Sequence, residues 1–269
     1  KKKESKFWKD IERYTKRMLE EPPFSWYRQR INIYGAFVPS KDDGVEMSPD
    51  QEKVDTFLQS HLDSPSGRLI VFKDGKALRT LVEGLKAVDI VFVMVNCEIY
   101  GGGGTELFDV KGRERSLPAP TFSARDTQSF MIAMHELGHS YGDLADEYED
   151  KAAAQRFAIP ASGDVKAANA TLAAFVDKKS FETIKATVKW KHFLDLPGAG
   201  SRSKWLYEGG YYRAKGVYRP FQECMMLHLG EPFCPVCCEE MAKAIFKTCG
   251  EEWDDAAFHK QFPLTLFKK

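Results

Sequence analysis

The stretch FMIAMHELGHSYGDLADEY (130–148) decides how the rest of the chain is interpreted. Its first part is apolar on nearly every side, which predicts a helix buried beneath a sheet. Asp126 or Thr127 precedes this helix as a candidate N-terminal cap. Gly142 follows at a position where the helix is expected to end.

Two histidines on this helix predict a metal site. His135 and His139 are one turn apart, so their imidazoles project on the same side and can bind one zinc ion at about 2.0–2.1 Å each. Glu136 lies beside that line and can take a proton from a water molecule, the general-base role in metal-assisted hydrolysis. The pattern therefore favours a Zn²⁺-dependent hydrolase over a pair of histidines that merely pack in a core helix.

Geometry constrains the third metal ligand. If the helix continued, Asp146 would lie about 16 Å beyond His135 along the axis and could not reach the metal. The chain must therefore turn back at Gly142, where a left-handed conformation costs glycine little. Asp146 is favoured, because a short carboxylate suits a tight return. Glu147 is the second choice, and Glu223 is available if the helix does not turn.

The flanking segments predict an α/β fold with a twisted, partly parallel sheet. A first helix buries Phe7, Ile11, Tyr14 and Met18 and ends before Pro22. A second helix carries Leu78, Leu81, Val82 and Leu85 between two strands, as in a βαβ crossover. The predicted strands are 31–38, 68–72, 88–96 and 116–124, the last an edge strand because of its prolines. GGGG (101–104) predicts a loop, and 234–247 a helix.

Composition narrows the classes of partner. Lysine plus arginine and aspartate plus glutamate both total 39, so the formal net charge is zero. Nucleic acids and anionic membranes need a basic surplus, so neither is expected as the main partner. No apolar run reaches the roughly 18 residues of a membrane span, and none is expected.

Beyond these features, HELGHSYGDLADEY (135–148) closely resembles the zinc motif of the IgA peptidase family of bacterial metallopeptidases. Further segments resemble that family's blocks, in the same order, over roughly residues 1–250. These are EEPPFSWYRQRINIYGAFVPS, VNCEIYGGGGT, VKWKHFLDL, GGYYRAKGVYRPFQECMM and FCPVC. The resemblance implies a metzincin-like fold, one zinc ion and hydrolysis of peptide bonds.

Carried over by position, the resemblance makes His135 and His139 zinc ligands, Glu136 the base and Asp146 the third ligand. Standard metzincins place the third ligand where this chain has Ala145, and Asp146 follows one residue later, as in the resembled family. The expected organisation is an N-terminal subdomain, 1–142, with the sheet and the zinc helix. A less regular C-terminal subdomain, 143–269, would hold the third ligand and a methionine turn.

The resemblance also suggests roles for side chains in the second half. ECMM (223–226) is expected to form the methionine turn, with Met226 as first choice and Met225 as second. Tyr218 and His228 are candidate hydrogen-bond donors to the developing oxyanion. A protein or peptide substrate is expected to add as a strand along 116–124.

Five of the six cysteines lie in the last fifth of the chain, which indicates a disulfide or a metal site. Cys224, Cys234, Cys237 and Cys249 are candidates for a four-thiolate zinc site. In a chain that resembles secreted bacterial peptidases, a disulfide from Cys224 to Cys234 or Cys237 is favoured. The family resemblance and the clustered cysteines together predict a secreted or cell-envelope protein of a bacterium, although KKKESKFW (1–8) lacks a signal peptide's apolar segment.

Two other functions remain open from the sequence. One is a catalytically silent zinc-binding module of the same fold, and the other is a thiol-based activity at CPVCC (234–238). Asn169-Ala-Thr matches a glycosylation acceptor. His61, His192 and His259 are predicted to be surface or packing residues.

Overall fold

The helix predicted over the zinc motif is present as α3, Ser129–Gly142. The structure is a computed structural model, and it describes residues 2–47, 53–63, 67–85, 87–113, 115–199 and 205–267. Asp126 forms the predicted cap, because its Oδ1 accepts hydrogen bonds from the backbone N–H groups of Gln128 and Ser129, both at 2.9 Å. Met134 and Leu137 are fully buried, as the apolar pattern predicted.

The chain forms two compact units. Unit 1 comprises residues 1–21 and 31–140, and unit 2 comprises 22–30 and 141–269. Unit 2 thus includes residues 22–30, although these residues were predicted to belong to the N-terminal subdomain, 1–142. The subdomain boundary at Gly142 stays a prediction.

Unit 1 contains three helices and seven short strands among its described residues. The helices are α1 (Lys2–Met18), α2 (Gly75–Glu83) and α3. The strands are β1 (Ser60–Asp63), β2 (Leu69–Phe72), β3 (Val93–Val95), β4 (Gly102–Gly103), β5 (Glu106–Leu107), β6 (Leu117–Pro118) and β7 (Thr121–Ser123). This mixture of helix and sheet confirms the predicted α/β class.

Aromatic side chains join α1 to α3 and the sheet. The Tyr14 ring stacks on Phe130 of α3 at 5.0 Å between centroids and meets Phe122 of β7 edge-on at 4.9 Å. The Tyr14 hydroxyl donates to the Ala124 carbonyl at 2.9 Å. The predicted apolar face of α1 therefore helps to fix the helix that carries the histidines.

The main sheet has the order β1-β2-β4-β7-β3 and is mixed, as predicted. The β2–β4 and β3–β7 pairs are parallel, whereas β4–β7 is antiparallel. β2 and β3 consequently run in opposite directions, so the predicted parallel βαβ crossover is wrong. The strand predicted over 31–38 is also wrong, because that segment has no ladder pairing.

The prediction of an edge strand over 116–124 is wrong as well. β7 lies between β4 and β3, and β6 pairs with β5. The Pro118 and Pro120 carbonyls accept hydrogen bonds from Val91 and Val93, both at 2.9 Å. Since proline lacks only the N–H, its carbonyl can still pair inside a sheet. A substrate strand therefore cannot add along this segment.

Gly102 and Gly103 of the glycine run form β4, so the predicted loop is limited to its two ends, Gly101 and Gly104. A Cβ on Gly101 would lie 2.5 Å from the Arg68 carbonyl oxygen, and one on Gly102 would lie 2.9 Å from a methyl carbon of Ile132 in α3. The glycines therefore let β4 pack closely against both β2 and α3.

Unit 2 contains four α-helices and three strands among its described residues. The helices are α4 (Lys151–Arg156), α5 (Phe181–Thr187), α6 (Pro235–Cys249) and α7 (Asp255–Gln261). The strands β8 (Thr171–Leu172), β9 (Tyr207–Gly210) and β10 (Arg213–Arg219) form an antiparallel sheet of order β8-β10-β9. α6 confirms the helix predicted over 234–247. In the described parts of both units, no helix has the length and apolarity needed to cross a membrane.

We predict that Asp126→Ala lowers the free energy of unfolding by about 1 kcal/mol, because the first turn of α3 loses its acceptor. Asp126→Asn keeps an acceptor oxygen at the same place and should remain close to the parent. Urea unfolding of the three proteins tests this. Equal losses in both variants would show that charge, and not the cap, stabilises the helix.

Candidate metal centre

The two α3 histidines direct their ring nitrogens at each other. The Nε2 atoms of His135 and His139 are 3.2 Å apart, and the rings are nearly perpendicular at 85°. Two nitrogens bound to one tetrahedral zinc at 2.0–2.1 Å are separated by about 3.3 Å. The pair therefore fits a shared metal ion without rearrangement of the rings.

Asp146 supplies the third candidate ligand on this stretch of chain. Asp146 follows the end of α3 by four residues and is buried, and its role as the third ligand stays a prediction. Glu147, the second choice from sequence, belongs to a different group of side chains. Nitrogen and carboxylate oxygen donors are ordinary zinc ligands, so the donor set suits the predicted metal.

The chain leaves α3 one residue later than predicted. Gly142 is the last helical residue, and Asp143 adopts the left-handed conformation with φ of +52°. Aspartate is one of the few non-glycine residues that tolerate this region. Gly142 serves a packing role instead, because a Cβ there would lie 2.5 Å from the Met241 sulfur.

Glu136 lies against the glycine run of unit 1. A Cβ added to Gly104 would overlap the Oε2 atom of Glu136, so only glycine leaves that carboxylate in its present position. Gly104 is exposed and Glu136 is half-buried. Because the neighbouring Gly104 is exposed, water can reach the Glu136 carboxylate and exchange a proton with it.

Residues 145–147 are held by hydrogen bonds from three other parts of the chain. The Asn169 side chain accepts from the Ala145 N–H at 2.9 Å and donates to the Ala145 carbonyl at 2.8 Å. The Asp146 carbonyl accepts from the Tyr211 N–H at 2.7 Å, and the Glu147 N–H donates to the Met226 carbonyl at 2.8 Å. The backbone that carries the third candidate ligand is therefore fixed on both sides.

ECMM forms a tight turn whose methionines are both buried. The Leu227 N–H donates to the Cys224 carbonyl at 2.9 Å, and Met225 and Met226 are at most 1% exposed. The contact of Met226 with the residue after Asp146 is made by its backbone. The role of Met226 as the methionine of a metzincin turn stays a prediction.

Tyr218 and His228 each have a partner in unit 2. The Tyr218 hydroxyl accepts a hydrogen bond from Lys178 Nζ at 2.6 Å, which leaves its own O–H as a donor. The His228 Nδ1 lies 2.8 Å from a Glu223 carboxylate oxygen, and 62% of the His228 side chain is exposed. Their assignment as oxyanion donors stays a prediction, and Glu223 is paired with His228.

The predicted disulfide is absent, because all six cysteines are free thiols. Cys224 and Cys237 are nearest, with sulfur atoms 3.6 Å apart, and they form a buried group with Cys234 and Glu147. Cys249 is exposed and lies outside this group, so the four-thiolate alternative is not formed. The disulfide had supported a secreted location, which stays a prediction.

Burial governs the titration of this group. It raises the pKa of the Glu147 carboxyl well above its usual range, with Cys224 adding to the rise and the Asn169 hydrogen bond opposing it. Burial also opposes ionisation of Cys234, but hydrogen bonds from Cys224 and Cys237 outweigh it and lower the pKa of the Cys234 thiol to about 7.

His192 and His259, which were predicted to be surface or packing residues, are close together, with ring centroids 5.6 Å apart. They form a third group with the buried carboxylate of Glu239, and His192 Nε2 lies 2.7 Å from a Glu239 oxygen. Lys243 Nζ also lies 3.1 Å from Glu239, which supplies a positive charge at the same carboxylate.

A mixed α/β unit whose buried helix presents His-Glu-x-x-His, with an acidic ligand soon after, is the pattern of a metallopeptidase. The chain belongs to the IgA peptidase M64 family, whose family model matches residues 1–199. It is therefore a peptidase, with a protein or peptide as substrate. The match ends before the methionine turn and the cysteine cluster, so it is shorter than the 1–250 expected from sequence. No curated protein matches the chain significantly.

Sequence reasoning missed Asn169 as a residue of this region. The Asn-Ala-Thr triplet suggested a glycan acceptor, but Asn169 is fully buried and its amide nitrogen already donates to Ala145 and Glu147. An asparagine that holds a distant backbone segment has no local sequence pattern, so only the fold shows its role.

We predict that Asn169→Ala lowers the free energy of unfolding by about 3 kcal/mol, because it leaves both backbone groups of Ala145 buried without their side-chain partner. The Asn96 side chain makes two exposed hydrogen bonds, donating to Asp43 at 2.9 Å and accepting from Arg125 at 3.1 Å, and is the matched control. Asn96→Ala should cost less than about 0.5 kcal/mol. Chemical denaturation checks both, and similar losses would remove the structural role assigned to Asn169.

Proposed function

We propose that the chain is a zinc-dependent endopeptidase in which His135, His139 and Asp146 bind the metal and Glu136 is the general base. The observation that carries the proposal is the 3.2 Å separation of the two histidine nitrogens on a buried helix of unit 1. Family membership supports the peptidase class, and this donor geometry supports the metal-dependent mechanism within it.

The residues divide the chemistry between them. His135, His139 and Asp146 would hold the zinc ion, whose chemistry there would be to lower the pKa of a water molecule toward about 7 and to polarise the scissile carbonyl. Glu136 accepts the proton of the attacking water at its carboxylate and delivers it to the departing amine nitrogen. Gly104 keeps that carboxylate in position, because any larger residue would occupy its space.

The second candidate is a zinc-binding module of the same fold that does not turn over substrate. The presence of Glu136 disfavours it, since binding a metal needs only the ligands. Variants that separate metal binding from catalysis distinguish the two functions.

We predict that Glu136→Gln keeps the metal and the fold but lowers peptide hydrolysis by about 10²–10⁴-fold, because the base is lost. His139→Ala should lose both the metal at this centre and the activity. Hydrolysis is measured with labelled unfolded casein and a peptide mixture analysed by mass spectrometry. Zinc per chain is measured by plasma mass spectrometry.

His61→Ala changes a surface histidine of β1 and is the control for His139→Ala; it should keep zinc and activity. Zinc bound in the parent with no cleavage of any probe would favour the silent module. Zinc retained in full by His139→Ala would place the metal elsewhere and remove the proposed site.

We further predict that Gly104→Ala lowers kcat about 10- to 100-fold without loss of metal, because the new methyl group displaces the Glu136 carboxylate. Gly75→Ala is the matched control, since its Cβ would meet nothing closer than 3.8 Å. Steady-state kinetics and a zinc determination on both variants test this. Unchanged kcat in Gly104→Ala would show that the glycine does not position the base.

A further inference from the structure

A second group of metal-ligating side chains lies wholly within unit 2. Ligand atoms of Glu147, Cys224, Cys234 and Cys237 lie within 4.8 Å of one another, and all four residues are buried. Cys224 belongs to the methionine turn, Cys234 is the N-cap of α6, and Cys237 lies in the first turn of that helix. The fold thus gathers four donors from three separate parts of the chain.

The separations match a tetrahedral zinc site and exclude a disulfide. Zinc–sulfur bonds of about 2.3 Å place two ligand sulfurs roughly 3.8 Å apart, and a ligand sulfur and oxygen roughly 3.6 Å apart. The Cys224 and Cys237 sulfurs are 3.6 Å apart, and the Cys237 sulfur is 3.7 Å from Glu147 Oε1. A disulfide would require about 2.05 Å.

Glu147 indicates that a cation belongs in this group. It is 1% exposed, and its Oε2 atom is buried without a hydrogen-bond partner in the structure. Its other oxygen accepts hydrogen bonds from the Asn169 amide at 2.9 Å and from the Cys237 thiol at 3.7 Å. Burial of a carboxylate among thiols is costly unless its charge is matched, and a divalent cation matches it.

We propose that Glu147, Cys224, Cys234 and Cys237 bind a second zinc ion, separate from the one proposed for His135, His139 and Asp146. Three thiolates select a soft or borderline metal such as zinc over magnesium or calcium. Four protein ligands leave no open position, so the ion is structural. The Cys234 N–H donates to the Cys224 sulfur at 3.3 Å, which stabilises negative charge on that ligand.

The neighbouring donors do not form an equally good site. Cys238 is buried beside Cys237, but its thiol donates to the Phe233 carbonyl and it is not a member of the group. The group of His192, Glu239 and His259 already has the Lys243 ammonium 3.1 Å from Glu239, and a lysine charge there opposes a metal cation.

The proposed ion would also stiffen the catalytic half of the chain. Its ligand Glu147 directly follows Asp146, and its ligand Cys224 begins the turn whose Met226 carbonyl accepts the Glu147 N–H. The ion would therefore join the methionine turn, the start of α6 and the segment that carries the third ligand of the proposed active site.

The test uses the full chain, purified under reducing conditions and dialysed into metal-free buffer. Plasma mass spectrometry is expected to find two zinc ions per chain in the parent and one in His139→Ala. Cys237→Ser is expected to lose the second ion, and Cys238→Ser, the matched control, to keep both. Cobalt reconstitution of His139→Ala should give a sulfur-to-cobalt charge-transfer band, which needs no cysteine variant and cannot arise from histidine or carboxylate ligands.

Several results would overturn the proposal. One zinc per chain, lost in His139→Ala, with no cobalt–thiolate band, would show that the cysteines bind no metal. Titration of the denatured, chelated chain would then give six reactive thiols if they are only packed together, and two fewer if a disulfide has formed. The proposal is independent of the catalytic one, because full zinc retention in His139→Ala with a thiolate band would support this site and remove the other.

Discussion

The adjacent acids Asp146 and Glu147 are the constraint on which the rest of the region depends. Glu147 belongs to the group of the cysteines, and Asp146 is the proposed third ligand of the histidine site. Neighbouring residues of a non-helical chain commonly point to opposite sides, so one short segment can serve both groups. The backbone can do so only if it is held in one conformation, and Asn169, Tyr211 and Met226 provide that restraint.

The two groups differ in how much they depend on a metal. In the histidine group His139 is only partly buried, whereas His135 and Asp146 are buried. Glu147 is inside the protein, where an unmatched charge must either be neutralised by a proton or be paired. The cysteine group therefore bears on the stability of unit 2, whereas the histidine group bears on reactivity. Substituting one ligand in each group therefore distinguishes the effect on the stability of unit 2 from the effect on peptide hydrolysis.

The sequence predicted what depends on local periodicity and missed what depends on distant partners. The helix of the zinc motif and the buried side of α1 follow from side-chain spacing, and both are present. The strand expected over 31–38 failed because apolar composition does not supply a pairing partner. Prolines suggested an edge at 116–124, but their carbonyls still pair. Cysteine spacing could not distinguish a bridge from a metal site, since that depends on where the chain brings Glu147.

The glycine run shows that residues without a side chain also contribute to the proposed active site. Gly101 and Gly102 let β4 approach β2 and α3 more closely than any side chain allows, and that approach places Gly104 against the Glu136 carboxylate. A base that must take a proton and then return it needs a fixed position and an open side. The exposed Gly104 provides the open side, because it has no side-chain atoms that would displace the carboxylate or shield it from water. The run 101–104 is therefore as much a part of the proposed active site as the histidines.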